Sequence, residues 1–162
     1  MTLCHIESID EKFDFRYRVY LHSIHMKLTS GANQSPVVLV VDDHEDTREM
    51  SLLVLKSQGF TAVAAKSGDS GYANACERRP DVIVTDLAMP DGDGWEMVQR
   101  LSADPRTKDI PVVMLTACAT EAVRQRAQEE GVAAFFFKPC APAVLADELR
   151  RLIAARVDSA PV

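Results

Sequence analysis

The stretch that decides the fold is Val37-Val-Leu-Val-Val-Asp-Asp43, in which five consecutive apolar residues precede two acids. A short, continuous and mostly β-branched run of this kind is typical of a strand buried on both faces of a parallel sheet. Residues 45–58 follow with apolar side chains at helical spacing, and Gly59 marks the end of that helix. The regular part of the chain therefore begins with a strand, an acidic loop and a helix.

The same strand–helix unit recurs four more times. The further predicted strands are Thr61–Ala65, Asp81–Thr85, Pro111–Leu115 and Ala133–Phe137. The further predicted helices are Gly68–Arg79, Trp95–Ser102, Glu121–Glu130 and one that begins near Pro142. Five strands alternating with five helices predict an α/β fold with an open, parallel five-stranded sheet and right-handed crossovers.

Composition narrows the classes of function. The chain has 162 residues, of which 47% are hydrophobic and 26% charged, a balance typical of a globular domain. Its net charge of -6 argues against binding to a nucleic-acid backbone. No apolar run approaches the roughly 18 residues of a membrane span, and the acidic N-terminus is unlike a secretory signal. We therefore expect a cytoplasmic protein with no nucleic-acid or membrane partner and with reduced, unpaired cysteines.

The ends of the chain differ from its centre. Residues 1–35 hold three of the four histidines and finish in the small, polar, turn-prone linker Thr29–Pro36. Two interpretations of this extension stay open, a disordered segment or a gene-model artefact with Met26 as the true start. Residues 36–157 are predicted to form the folded domain. Residues 158–162 are predicted to be a short tail, with no effector domain after it.

Chemically active side chains follow four of the five predicted strands. Asp42 and Asp43 follow the first strand, Asp86 the third, Thr116 the fourth and Lys138 the fifth. Working residues of open α/β sheets lie at this carboxyl edge. Two like charges about 4 Å apart repel by roughly 4 kcal/mol at an effective dielectric near 20, so three carboxylates need a divalent cation such as Mg²⁺. Because a carboxylate is also a competent nucleophile toward phosphorus, the set predicts phosphoryl transfer to an aspartate.

Four motifs carry a resemblance to a known family. They are Val40-Val-Asp-Asp-His-Glu-Asp46, Asp86-Leu-Ala-Met-Pro90 with Asp91-Gly92 after it, Leu115-Thr-Ala117, and Phe135-Phe-Phe-Lys-Pro139. In this order and spacing the chain resembles, from residue 37 to about residue 156, the receiver domains of two-component response regulators, typified by the single-domain chemotaxis regulator. The resemblance implies a flavodoxin-like, doubly wound sheet with strand order 2-1-3-4-5 and helices on both faces.

The resemblance also implies a role for each matching residue. Asp86 is the expected phosphoacceptor. The expected ligands of Mg²⁺, with Mn²⁺ as an alternative, are Asp42, Asp43, Asp86 and the backbone carbonyl of Ala88. The expected phosphate-binding residues are Thr116, Ala117 and Lys138.

A conformational switch is implied as well. Thr116 and Phe135 are its expected residues, with Phe where the family commonly has Tyr, so that no switch hydroxyl is present. The Lys138–Pro139 bond is a candidate cis peptide. Ala88 and Cys118 occupy positions that tune phosphoryl lifetime in this family. Neither side chain can steer an attacking water, so we expect no enhanced self-hydrolysis.

The implied function is a phosphorelay switch that catalyses only its own phosphorylation and dephosphorylation. Its expected donor is a phosphohistidine on a sensor histidine kinase or phosphotransfer protein. The response is expected on the face formed by the fourth helix, fifth strand and fifth helix, which is also a candidate dimer face; the downstream partner is not identified. One alternative is an interaction module of the same fold that is not phosphorylated. A second, an aspartyl-phosphate phosphatase, is disfavoured because Ala88 stands where that enzyme needs an acid.

Two further features admit two interpretations. His44, beside the acid pair, is favoured as the first residue of a helix-entry loop over a metal ligand. Cys118 and Cys140, which flank the predicted site, are favoured as free thiols over a redox-sensing pair.

Overall fold

The computed structural model describes residues 35–87, 89, 94–117 and 120–159. The strands are β1 (Val37–Val41), β2 (Thr61–Ala65), β3 (Val82–Thr85), β4 (Val112–Thr116) and β5 (Ala134–Phe137). The helices are α1 (Glu45–Ser57), α2 (Gly68–Arg78), α3 (Gly94–Ala103), α4 (Glu121–Glu129) and α5 (Pro142–Ser159). The predicted extension, apart from Ser35, lies outside the described residues, as do Ala88 and Cys118.

The five strands form one parallel sheet in the order β2-β1-β3-β4-β5. This confirms the predicted flavodoxin-like fold, with the second strand at an edge. After β2 the chain crosses back over β1 to place β3 on its other side. The loops that leave β1 and β3 therefore diverge, and the crevice between them is where doubly wound sheets bind ligands.

Each strand contributes to two hydrophobic cores because alternate side chains point to opposite faces. Leu39, Val41 and Ile83 pack on one face with the apolar side chains of α2, α3 and α4. Val38 and Val40 pack on the other face with α1 and α5. The sheet is thus covered on both sides, which explains why its strands are continuous apolar runs.

Element ends follow local chemistry. Gly59 (φ 88°) takes the left-handed conformation that lets the chain leave α1. Arg79 (φ 44°) does the same directly ahead of Pro80, so that α2 ends at Arg78, one residue before its predicted end. Thr116 pairs with Phe137 and is the last residue of β4. Pro111 precedes that strand because it has no N–H to donate, although its carbonyl accepts from Ile83 at 3.0 Å.

The remaining differences are also at element ends. Helix α5 continues to Ser159, two residues beyond the predicted domain end at 157. Within the described residues, no helix is both long and apolar enough to cross a membrane.

Candidate functional site

The loop after β1 presents two carboxylates at the carboxyl edge of the sheet. Asp42 is almost buried; its Oδ1 accepts a hydrogen bond from the His44 backbone N–H at 2.9 Å. The neighbouring Asp43 side chain is 20% exposed. From the second turn of α1, Arg48 donates to the backbone carbonyls of Asp42 (3.0 Å) and Asp43 (3.4 Å). The loop is thereby tied to α1 through its backbone.

Asp86, in the loop after β3, has a hydrogen bond at every polar atom. Its N–H donates to the Val41 carbonyl at 2.9 Å, and its carbonyl accepts from the Thr85 hydroxyl at 2.8 Å. Its Oδ1 accepts from the Leu87 N–H at 2.6 Å, and its Oδ2 accepts from the Lys138 ammonium at 2.7 Å. The side chain stays 12% exposed. Asp86 is therefore both oriented and reachable from solvent.

Gly94, the first residue of α3, permits a close approach beneath this loop. A β-carbon at this position would lie 2.5 Å from the Asp86 carbonyl oxygen and 3.1 Å from the Leu87 α-carbon. Both neighbours are backbone atoms, which cannot move aside as the end of a flexible side chain would. The start of α3 therefore supports the Asp86 loop directly.

Lys138 joins the two loops. Its Nζ lies 2.9 Å from Asp42 Oδ2 and 2.7 Å from Asp86 Oδ2. Partial burial works to lower the pKa of this ammonium, but the hydrogen bonds and charges of Asp86 and Asp42 outweigh burial and raise it above the ordinary value for lysine. Its backbone N–H donates to the Thr116 carbonyl at 2.9 Å, and its bond to Pro139 is cis. Lys138 is thus a protonated bridge between neighbouring acidic loops.

The other predicted residues lie at the end of β4 or within β5. Thr116 ends β4 and is buried, and Ala117 after it is exposed. Phe135 is 5% exposed and packs edge-on against Phe137, with ring centroids 5.2 Å apart. Phe136, at 0% exposure, faces the opposite core.

The charge of the site suits a divalent cation. Three carboxylates (Asp42, Asp43, Asp86) and one ammonium (Lys138) give a formal charge of -3 + 1 = -2. Oxygen ligands of this kind are those that Mg²⁺ prefers, with water and phosphate oxygens completing its shell. The residues present therefore fit a magnesium ion.

His44 is the N-cap residue of α1, as the sequence favoured, but its side chain makes no capping hydrogen bond. Its Nδ1 lies 3.1 Å from Asp43 Oδ1 and 3.8 Å from Asp42 Oδ1. One ligand atom from each of these three residues falls within 4.8 Å of the others. The imidazole thus borders the acidic pocket.

The model of the response regulator receiver domain family matches residues 38–150. The chain belongs to this family. Among sequence relatives of this receiver domain, the phosphate regulon transcriptional regulatory protein PhoB of Escherichia coli (strain K12) is 37% identical over 116 residues, which are 72% of this chain and 51% of PhoB. The receiver chain thus spans about half the length of PhoB.

Solved receiver structures agree with the fold. The chemotaxis protein CheY4 of Vibrio cholerae is 30% identical with a TM-score of 0.69, covering 73% of this chain and 98% of that chain. The receiver domain of the sensor histidine kinase PA1611 from Pseudomonas aeruginosa PAO1 is 25% identical with a TM-score of 0.69, covering 74% of this chain and 98% of that chain. The PA1611 structure has a magnesium ion coordinated in its active site cleft. Receiver domains typically bind Mg²⁺ at an acidic pocket and interact with histidine kinases or phosphotransfer proteins.

In this receiver domain, sequence reasoning missed three supports of the site. Thr85 holds the Asp86 carbonyl, Gly94 makes room for it, and Arg48 holds the acidic loop after β1. A glycine at the start of a helix that follows a site loop is the only one of these with a signal in the sequence.

Proposed function

We propose that this chain is a Mg²⁺-dependent phosphoacceptor switch in which Asp86 takes a phosphoryl group from a phosphohistidine. The observation that supports it best is the Lys138 ammonium, within 2.9 Å of Asp42 and 2.7 Å of Asp86. The bridge places a nucleophilic carboxylate, a second acid and a positively charged ammonium together at a solvent-accessible sheet edge.

In the proposed reaction, an Asp86 carboxylate oxygen attacks the phosphorus atom and forms the new P–O bond. The P–N bond of the phosphohistidine breaks, and its electron pair stays on the leaving imidazole, which takes up a proton. Phosphoryl transfer of this kind depends on positioning and on charge neutralisation at the phosphoryl oxygens. The four hydrogen bonds around Asp86 supply the positioning.

Several residues of the chain would together offset the negative charge of the phosphoryl oxygens. Lys138, whose raised pKa keeps it protonated, is the proposed partner of a phosphoryl oxygen once Asp86 is esterified and loses its negative charge. Thr116 and Ala117 are the proposed hydrogen-bonding partners of the other oxygens. The proposed metal ligands are Asp42, Asp43, Asp86 and the Ala88 carbonyl. A bound Mg²⁺, or Mn²⁺, would offset the negative charge of the phosphoryl group, as the magnesium ion in the cleft of the PA1611 receiver domain suggests.

The proposed output is a shift between two conformations. Thr116 and Phe135 lie on neighbouring strands, so movement of the Thr116 hydroxyl toward a phosphoryl group would change the packing available to the Phe135 ring. The proposed response is altered affinity of the α4–β5–α5 face for a partner protein or a second copy. A sensor histidine kinase or phosphotransfer protein is the proposed donor.

Phosphorylation by a small donor tests this function. The purified chain is incubated with acetyl phosphate in magnesium buffer, and its intact mass is measured. We expect the mass of one added phosphoryl group, and no added mass when EDTA is present from the start of the incubation. Asp86→Asn should abolish the addition, and Asp109→Asn, a matched change at an exposed aspartate just before β4, should leave it intact. Equal labelling of the Asp86→Asn variant and the unaltered chain would refute the assignment.

A further inference from the structure

His44 combines a fixed backbone with a side chain that caps nothing. Its N–H donates to Asp42 Oδ1 at 2.9 Å, which sets the course of the chain into α1. The imidazole makes no capping hydrogen bond and is 71% exposed, and its Nδ1 shares a hydrogen bond of 3.1 Å with Asp43 Oδ1. The helix-entry role thus uses the backbone of His44, while its ring is directed at the acidic pair.

The distances around Nδ1 resemble those between ligands of one metal ion. Adjacent ligand atoms on an octahedral ion with bonds of about 2.1 Å lie roughly 3 Å apart. Nδ1 is 3.1 Å from Asp43 Oδ1 and 3.8 Å from Asp42 Oδ1, and the three ligand atoms lie within 4.8 Å of one another. One ion among these atoms would take an imidazole nitrogen and two carboxylate oxygens as ligands, in place of the hydrogen bond between Nδ1 and Asp43 Oδ1.

We propose that His44 is a ligand for first-row transition-metal ions at this site and makes it prefer Co²⁺, Ni²⁺ and Zn²⁺ to Mg²⁺ by more than its carboxylates alone would. An imidazole nitrogen suits these ions and adds to their higher intrinsic affinity for N/O sites. Mg²⁺ prefers oxygen ligands and gains little from the ring. This inference rests on the proposed function, since it assigns a further ligand to the metal site beside Asp86.

Calorimetric titration of the full chain at one fixed pH, with Mg²⁺ and separately with Ni²⁺, tests the inference. The matched variant is His44→Gln, whose amide can still donate a hydrogen bond to Asp43 but is a poor metal ligand. We expect His44→Gln to weaken Ni²⁺ binding about tenfold or more while Mg²⁺ affinity changes less than about twofold. Excess Mg²⁺ should compete with the His44-dependent Ni²⁺ site, because both ions use Asp43.

Visible absorption of Co²⁺ gives a second readout that does not depend on phosphorylation. A nitrogen ligand changes the ligand-field bands, so the spectrum of bound Co²⁺ should differ between the unaltered chain and His44→Gln. Histidines outside the described residues are present in both proteins and cancel in this comparison.

The outcomes separate the inference from the function on which it rests. Equal Ni²⁺ affinity and identical Co²⁺ spectra for the two proteins would overturn the role of His44, even with normal Mg²⁺ binding and phosphorylation. Failure of the unaltered chain to bind Mg²⁺ or to accept phosphate would instead sink the proposed function. A His44-dependent Ni²⁺ site would then stand by itself.

Discussion

Replacing Gly94 by alanine should displace the backbone of the loop that carries Asp86 and so lower both stability and phosphorylation rate. The added β-carbon would lie 2.5 Å from the Asp86 carbonyl oxygen, whereas ordinary contact begins near 3.4 Å, so loop and helix must separate by about 0.9 Å. Overpacking of this kind costs about 1–3 kcal/mol, while helix propensity favours alanine by at most about 1 kcal/mol. We therefore expect a net loss of up to about 2 kcal/mol in the free energy of unfolding.

The same displacement should slow phosphorylation. A misplacement near 1 Å can cost on the order of 100-fold in rate, so we expect Gly94→Ala to react with acetyl phosphate at least about tenfold more slowly. Urea unfolding followed by circular dichroism measures the stability, and intact mass against time measures the rate.

The matched control is Gly71→Ala in α2. Its β-carbon would meet the Met97 sulfur at 2.6 Å and the two Val41 γ-carbons at 3.0 and 3.1 Å, which are all side-chain atoms rather than backbone atoms of the site. Phosphorylation of this variant should stay within about twofold of the unaltered chain, because the Asp86 loop need not move. If Gly94→Ala is as stable as the unaltered chain and is phosphorylated as rapidly as Gly71→Ala, the steric reasoning is wrong.

Three further predictions concern groups in and beyond the site. Thr85→Val keeps the side-chain shape but leaves the Asp86 carbonyl without its hydroxyl donor, so urea unfolding should show a loss of about 1–3 kcal/mol. Lys138→Met removes a positive charge that lies between two carboxylates and competes with Mg²⁺ for them. Because a charge interaction at such distances is worth about 1–4 kcal/mol, calorimetry should show Mg²⁺ bound at least about fivefold more tightly. The pKa of Asp104 lies well below the usual range, mainly because the Arg106 side chain donates hydrogen bonds to its carboxylate. This stabilisation is complete above the ordinary carboxyl pKa of about 4 and is lost as pH falls toward the folded-state value, so the stability advantage over Asp104→Asn should shrink in urea titrations below pH 4.

The fold was predictable because each strand is a continuous apolar run with a helical pattern after it. Such runs are required when both faces of a sheet are covered, and Val38 and Leu39, buried in opposite cores, illustrate this. Errors were confined to element ends. Pro111 lies beside β3 and accepts a hydrogen bond from it but has no N–H to donate, so β4 begins one residue later. Arg79 ends its helix in a left-handed conformation, which a sequence pattern does not reveal.

The position of the site was predictable for a similar reason. The carboxyl ends of parallel strands meet at one edge, so Asp42, Asp86 and Lys138 had to be near one another once the strands were identified. Their supports were harder to foresee, because only Gly94, a glycine at the start of a helix, has a signal in the sequence. Thr85 looks like an ordinary β-branched strand residue, and the steric role of Gly94 depends on how closely α3 approaches the loop. These are facts of packing, which local sequence does not encode.

Trapping the proposed acyl phosphate tests the central claim most directly. The chain is treated with acetyl phosphate and Mg²⁺ and then with borohydride, which reduces an aspartyl phosphate to homoserine, and the modified residue is located by peptide mass spectrometry. The account predicts homoserine at position 86 and none at positions 42, 43 or 109. Homoserine at another aspartate, or its absence from a chain that binds Mg²⁺, would contradict it.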